Sequence, residues 1–118
     1  MKSLVAITIS ILLFCSDAKA KELKFIKVTN NLNHPWGMSF IDQNNLLITE
    51  RGGRLLRVHL PSQKIFPVSH DLKILALRQG GLLDVLYHKE YVYLSYSEDR
   101  GSGKSSTSVV RGKIISDV

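Results

Sequence analysis

Short runs of β-favouring residues, broken at close intervals by turn-forming residues, make up the sequence after residue 20 and restrict the chain to an all-β fold. No stretch there keeps apolar residues three to four positions apart for long, as an amphipathic helix requires. The breaks are rich in Asn, Asp, Gly, Ser and Pro, which favour turns. We therefore predict strands at residues 23–29, 36–41, 46–50, 54–60, 64–68, 82–87, 91–97 and 108–115.

These strands form a repeat. The pair 36–41 and 46–50 resembles the pair 82–87 and 91–97, and the two units start 46 residues apart. Four short strands per unit, at a period of roughly 40–50 residues, are typical of a β-propeller blade. One unit of four strands and one of three predict the first one to two blades of a propeller, too few to close a ring of about 4–8 blades. A small β-sandwich with an accidental repeat is the alternative.

The first twenty residues have the pattern of a secretory signal peptide. Lys2 precedes an apolar or small stretch at 4–14, and Ala18-Lys19-Ala20 supplies the small residues that signal peptidase reads. The apolar stretch is shorter than the roughly 20 residues that a membrane-spanning helix needs. We therefore expect a mature chain of residues 21–118, with no membrane span, in the periplasm or outside the cell.

Charge and cysteine content limit the partners of that mature chain. Cleavage would lower the formal charge from +6 to +5 and remove Cys15, the only cysteine, so a disulfide or a cysteine metal site is excluded. The four histidines also lack metal-ligand spacing. Basic residues are not interleaved with aromatic ones, as in nucleic-acid sites, so no nucleic-acid partner is predicted. We interpret Arg51, Arg54 and Arg57 as a solvated strand face.

Several motifs then follow one another in a specific order. They are HPWGMSF at 34–40, LLITER at 46–51, GRL at 53–55, RQGGLLDV at 78–85, VYLSY at 92–96 and VRGK at 110–113. In this order and at this spacing they resemble the N-terminal segment of the PQQ-dependent soluble aldose sugar dehydrogenases, a family similar to soluble quinoprotein glucose dehydrogenase. The resemblance covers residues from about 32 to 114.

The resemblance implies a six-bladed β-propeller in the periplasm, with pyrroloquinoline quinone (PQQ) and calcium in a cleft at its axis. It implies that the quinone takes a hydride from C1 of an aldose, giving the lactone, while a histidine base takes the hydroxyl proton. An external electron acceptor then reoxidises the cofactor. In the family, the base and the calcium ligands belong to later blades, so we expect this chain alone to be inactive.

The resemblance carries over one site residue, Gln79, which it places in a loop entering an innermost strand and facing sugar and quinone. No catalytic residue and no metal ligand is predicted in this chain. We interpret Asp84 as a buried, hydrogen-bonded structural carboxylate and Trp36 as a core residue. The alternative function is a non-catalytic, exported, propeller-type module that binds glycans or a protein partner.

Overall fold

The computed structural model describes residues 20–115, which form seven β-strands in two antiparallel sheets and contain no helix. The strands are β1 (Pro35–Phe40), β2 (Asn45–Glu50), β3 (Leu55–His59), β4 (Lys64–Val68), β5 (Leu82–His88), β6 (Tyr91–Asp99) and β7 (Ser105–Gly112). The predicted signal peptide lies outside the described residues, apart from Ala20. Between residues 20 and 115 no helix is long and apolar enough to cross a membrane.

Each sheet follows chain order. The first is β1-β2-β3-β4 and the second is β5-β6-β7, with every neighbouring pair antiparallel. The two units therefore repeat the same up-and-down connection, as the 46-residue period predicted. Pro67 lies in β4, an edge strand, where its missing amide hydrogen interrupts no central ladder.

A continuous apolar core lies between the two sheets. Leu47 and Leu55 of the first sheet pack against residues of the second, namely Leu82, Val85, Val92, Leu94 and Tyr96. The opposite face of β2 and β3 forms a second cluster around Leu46, Ile48 and Val58, partly covered by Leu32 and other residues. Because β2 is buried on both faces, it reads as a nearly continuous apolar run rather than an alternating one.

A buried threonine joins the two first strands, β1 and β5. The Thr49 hydroxyl accepts a hydrogen bond of 2.9 Å from the Gly37 amide and donates one to the Leu83 carbonyl. Both strands bulge at this point, since their registers shift between Pro35 and Met38 and between Leu82 and Val85. A Cβ at Gly37 would lie only 2.5 Å from an Asp84 carboxylate oxygen, so glycine permits the close approach.

The predicted strand at 23–29 is wrong. Residues 20–32 have no regular secondary structure, and the side chains of Leu23, Phe25 and Ile26 are almost fully exposed. Local composition favours a strand there, but no neighbouring strand among the described residues pairs with its backbone groups. A strand needs such pairing to satisfy its amides and carbonyls.

The last strand begins three residues earlier than predicted, at Ser105. Pairing of Asp99 with Ser105 continues the β6–β7 ladder almost to the hairpin. A tight turn closes it, with the Arg100 amide donating to the Lys104 carbonyl at 2.9 Å. The Gly/Ser-rich composition marked the turn correctly but overstated its length, because serine and threonine also pair well on an exposed edge strand.

Trp36 is not a core residue, contrary to our interpretation. It is 53% exposed, on the same face of β1 as Met38 and Phe40, which are also exposed. Gly37 and Ser39 alternate with them and face β5, where the Ser39 hydroxyl accepts a 2.9 Å hydrogen bond from the Tyr87 amide. The small residues therefore occupy the contact between sheets, and the large apolar ones remain uncovered.

Candidate active-site loop

Gln79 lies in a tight turn that leads into β5. The Gly80 amide donates to the Leu77 carbonyl at 2.7 Å, which closes the turn around Arg78 and Gln79. Arg78 has a φ of 53°, a conformation that non-glycine residues seldom adopt. The Gln79 side chain is exposed. Its amide is therefore free to donate to and accept from a ligand at this end of the sheet.

The two glycines after Gln79 lie where neighbouring atoms leave no room for a side chain. A Cβ at Gly80 would lie 2.7 Å from the Ser97 hydroxyl, and one at Gly81 would lie 2.1 Å from the Arg51 carbonyl oxygen. Gly81 also has a φ of 151°, at the limit of what an L-residue tolerates. The Ser97 amide donates to the Gly81 carbonyl at 2.8 Å, so β6 supports the loop from one side.

Arg51, at the turn between β2 and β3, supports the loop from the other side. Its carbonyl oxygen accepts from the Leu82 amide at 3.0 Å, and its guanidinium donates to the Arg78 carbonyl. Its own amide donates to the His34 carbonyl at 3.0 Å. Three segments thus meet at one end of the paired sheets: the turn after β2, the residues before β1 and the loop before β5.

A buried carboxylate anchors this junction. Glu50 is only 2% exposed and accepts from the Asn33 amide at 2.7 Å and from the Arg54 guanidinium at 2.5 Å. The hydrogen bond from Arg54 is the largest influence on Glu50 and lowers its pKa below the ordinary value of 4.5, despite the opposing effect of burial. Glu50 is therefore ionised at neutral pH and joins the residues before β1 to the β2–β3 turn.

We expect Glu50→Gln to destabilise the protein at pH 7 by about 1–2 kcal/mol, because it weakens a charge-assisted hydrogen bond to a buried group. A folded-state pKa below the unfolded one stabilises the fold above the unfolded pKa, and that contribution disappears as pH falls through the folded pKa. The difference between wild type and variant should therefore shrink below about pH 4.5. Thermal melts across pH 3–8 measure it, and a pH-independent difference would contradict this assignment.

Two interpretations of charged residues need correction. Arg51, Arg54 and Arg57 do not form one strand face, because only Arg57 lies in a strand, where it is 4.8 Å from the Phe66 ring. Arg54 is solvated as expected, with its side chain 61% exposed, but it also pairs with Glu50, and the partly exposed Arg51 binds the Gln79 loop. Asp84 is exposed rather than buried. Its carboxylate accepts from the next amide in the chain, that of Val85, at 2.9 Å, which satisfies a backbone group freed by the bulge in β5.

The described residues contain no group of three or more His, Cys, Asp or Glu side chains arranged to hold a metal ion. The geometry brings Gln79 together with Arg51, which our sequence reasoning did not place in the site. The sequence carries no recognisable pattern for this role of Arg51, because Arg51 contacts backbone atoms of a distant loop. Chemically, the loop offers a hydrogen-bonding amide on a rigid support.

The repeated antiparallel sheets, one of four strands and one of three, have the strand order of β-propeller blades and define the class of this protein as a β-propeller. A family model described as Glucose / Sorbosone dehydrogenase matches residues 32–117. The chain therefore belongs to the glucose/sorbosone dehydrogenase family. This confirms the resemblance and the prediction of one to two propeller blades.

Individual relatives agree. The chain is 36% identical over 95 residues to the aldose sugar dehydrogenase YliI of Escherichia coli (strain K12), covering 75% of this chain and 26% of that protein. A crystal structure of a glucose dehydrogenase matches with a TM-score of 0.68 and 35% identity, covering 75% of this chain and 27% of that one. The chain thus spans about a quarter of the length of these relatives.

A more distant structure supports the fold alone. The PQQ-bound form of an aldose sugar dehydrogenase from Streptomyces coelicolor matches with a TM-score of 0.63 at 22% identity, covering 71% of this chain and 25% of that one.

Proposed function

We propose that this chain forms the first two blades of a PQQ-dependent dehydrogenase that oxidises the C1 hydroxyl of an aldose to the lactone and passes the electrons to an external acceptor. One observation carries the proposal: Gln79 is exposed on a loop that Arg51 and Ser97 hold from both sides. Membership of the family supports the reaction class, and the names of the sugar-oxidising relatives support an aldose as substrate.

Gln79 has the chemistry to bind the sugar. Its amide both donates and accepts, which suits a hydroxyl group, and its exposure leaves it available to a ligand. A support made of backbone hydrogen bonds restricts its position before the sugar arrives, and such preorganisation favours binding. The proposed role of Gln79 is therefore to hold and orient a sugar hydroxyl.

The proposed cofactors are PQQ and calcium. When bound, the quinone would accept the hydride from sugar C1. Gln79 fits such a neighbour, since its amide can donate to a quinone oxygen. Among the described residues no three His, Cys, Asp or Glu side chains are grouped to hold a metal ion. We propose that the calcium ligands and the general base belong to other blades of the enzyme.

We further propose that the protein is exported to the periplasm through cleavage before Lys21. The apolar stretch at 4–14 and the Ala18-Lys19-Ala20 motif support this location. Mass spectrometry of protein recovered from the periplasm should give an N-terminus of Lys-Glu-Leu-Lys. Exported material that still begins at Met1 would contradict cleavage, and an Ala18→Arg variant, which removes a small residue from the motif, should accumulate uncleaved.

We test the function in the complete enzyme, by which we mean either the full protein that contains this chain or a chimera. In the chimera, residues 32–115 replace the matching stretch of the Escherichia coli relative. With PQQ, calcium and an artificial dye as acceptor, aldoses should reduce the dye. Glycan binding without any dye reduction would instead favour the non-catalytic binding module.

We expect Gln79→Ala to lower kcat/KM for the sugar in the complete enzyme by somewhat under tenfold, on the order of 1 kcal/mol, because one hydrogen bond to the substrate is lost. Gln63→Ala is the matched control, since Gln63 lies in the turn between β3 and β4 and bonds the Lys27 carbonyl at 3.2 Å. The control should retain wild-type kinetics. Equal kinetics for Gln79→Ala and wild type would remove Gln79 from the site.

A further inference from the structure

One residue outside the Gln79 loop contacts it at three successive points. The guanidinium of Arg51 donates to the Arg78 carbonyl, just before Gln79. The ideal Cβ position of Gly81 is 2.7 Å from Arg51 Cγ, so the aliphatic part of the arginine lies directly over the loop after Gln79. The Arg51 carbonyl then accepts from the Leu82 amide at 3.0 Å, where β5 begins.

Arg51 is itself well held. Its amide donates to the His34 carbonyl at 3.0 Å, and the preceding residue, Glu50, is buried and bonded on both sides. No carboxylate of the described residues forms a salt bridge with Arg51. Its side chain therefore has the backbone of the Gln79 loop, rather than an acidic partner, as its contact.

From these contacts we infer that Arg51 is a positioning residue, which sets the place of Gln79 for the reaction; this inference rests on the proposed function. The turn at Arg78 has a φ of 53°, which is unfavourable for an arginine, so the turn needs external support to persist. Arg51 supplies that support through its donor and its aliphatic stem. Lysine at this position would keep a stem and one donor nitrogen, whereas methionine would keep only the stem.

A double-mutant cycle in the complete enzyme tests the inference. Arg51→Met should lower kcat/KM up to tenfold, about as much as Gln79→Ala, and the double variant should be no worse than either single one, because both changes remove the same contact to the sugar. Arg51→Lys should recover part of the loss. If the kcat/KM loss of the double variant equals the product of the two single losses, Arg51 does not act through Gln79 and the inference is overturned.

Hydrogen exchange of the backbone at 77–82 gives a second readout that does not depend on activity. Exchange there should be faster in Arg51→Met than in wild type, and unchanged in Arg111→Met, which removes the same charge beside Tyr91. Unchanged exchange in Arg51→Met would overturn the inference. If the wild-type enzyme oxidises no sugar, the proposed function fails, whereas the exchange experiment still decides whether Arg51 orders the loop.

Discussion

Residues 21–118 on their own are expected to oxidise no aldose, even with PQQ and calcium added, while the complete enzyme does. Hydride transfer needs the base, the cofactor and the cation held together, and their positioning supplies much of the rate. Residues 20–115 offer Gln79 but no side-chain cluster for a metal. The proposed site also needs residues from other blades, and these two sheets cannot supply them.

Apolar side chains exposed on both outer faces of the paired sheets affect the stability of residues 21–118 on their own. Trp36, Met38 and Phe40 are exposed on one side of the paired sheets, and Leu86 and Val109 on the other. Apolar sheet faces of this kind associate or weaken cooperative unfolding when nothing covers them. We therefore expect purified 21–118 to show a broad thermal transition or concentration-dependent assembly.

Two measurements decide this prediction. Dye reduction is measured with 21–118 and with the complete enzyme at equal molar concentration, with PQQ and calcium in excess. Sugar-dependent reduction by 21–118 would overturn the view that the site needs further blades. A sharp two-state melt of a monomer would show instead that these residues form a self-sufficient β domain.

Gly81→Ala is expected to damage both stability and activity in the complete enzyme. The added Cβ would lie 2.1 Å from the Arg51 carbonyl oxygen, a backbone atom that cannot move without shifting the β2–β3 turn, and the φ of 151° is strained for alanine. We expect a loss of about 3 kcal/mol in stability. Displacing the loop would remove the Gln79 contact to the sugar, so kcat/KM should also fall by somewhat under tenfold, on the order of 1 kcal/mol, as in Gln79→Ala.

Gly52→Ala is the matched control, because a Cβ at Gly52 meets no atom within 4 Å. Gly52 belongs to the same β2–β3 turn, so the pair separates a steric clash from a general effect of replacing glycine. The free energy of unfolding of the control should lie within about 1 kcal/mol of the wild-type value, and the control should keep its activity. Thermal melts and dye-reduction kinetics on both variants test the prediction, which fails if Gly81→Ala behaves like Gly52→Ala.

The strands were predictable where local pattern and tertiary pairing agree. β4 matches its predicted range of 64–68. The observed ends of β1, β2 and β3 lie within one residue of their predicted ends. The segment 23–29 failed because apolar β-favouring composition is not enough without a neighbouring strand. Trp36 and Asp84 were misplaced for a related reason, since strand alternation tells which residues share a face but not which face is covered.

The sequence by itself determined the all-β character, the blade-like repeat, the family and the position of Gln79 in a glycine-rich loop. These depend on the short-range alternation of apolar and polar residues, on turn residues and on motif order, all of which can be read directly from the order of residues. Only the tertiary structure decided that Arg51 supports that loop and that Thr49 joins β1 to β5. Those contacts are hydrogen bonds to backbone atoms of distant segments, and backbone atoms are the same in every residue type, so they leave no mark on the sequence of the partner.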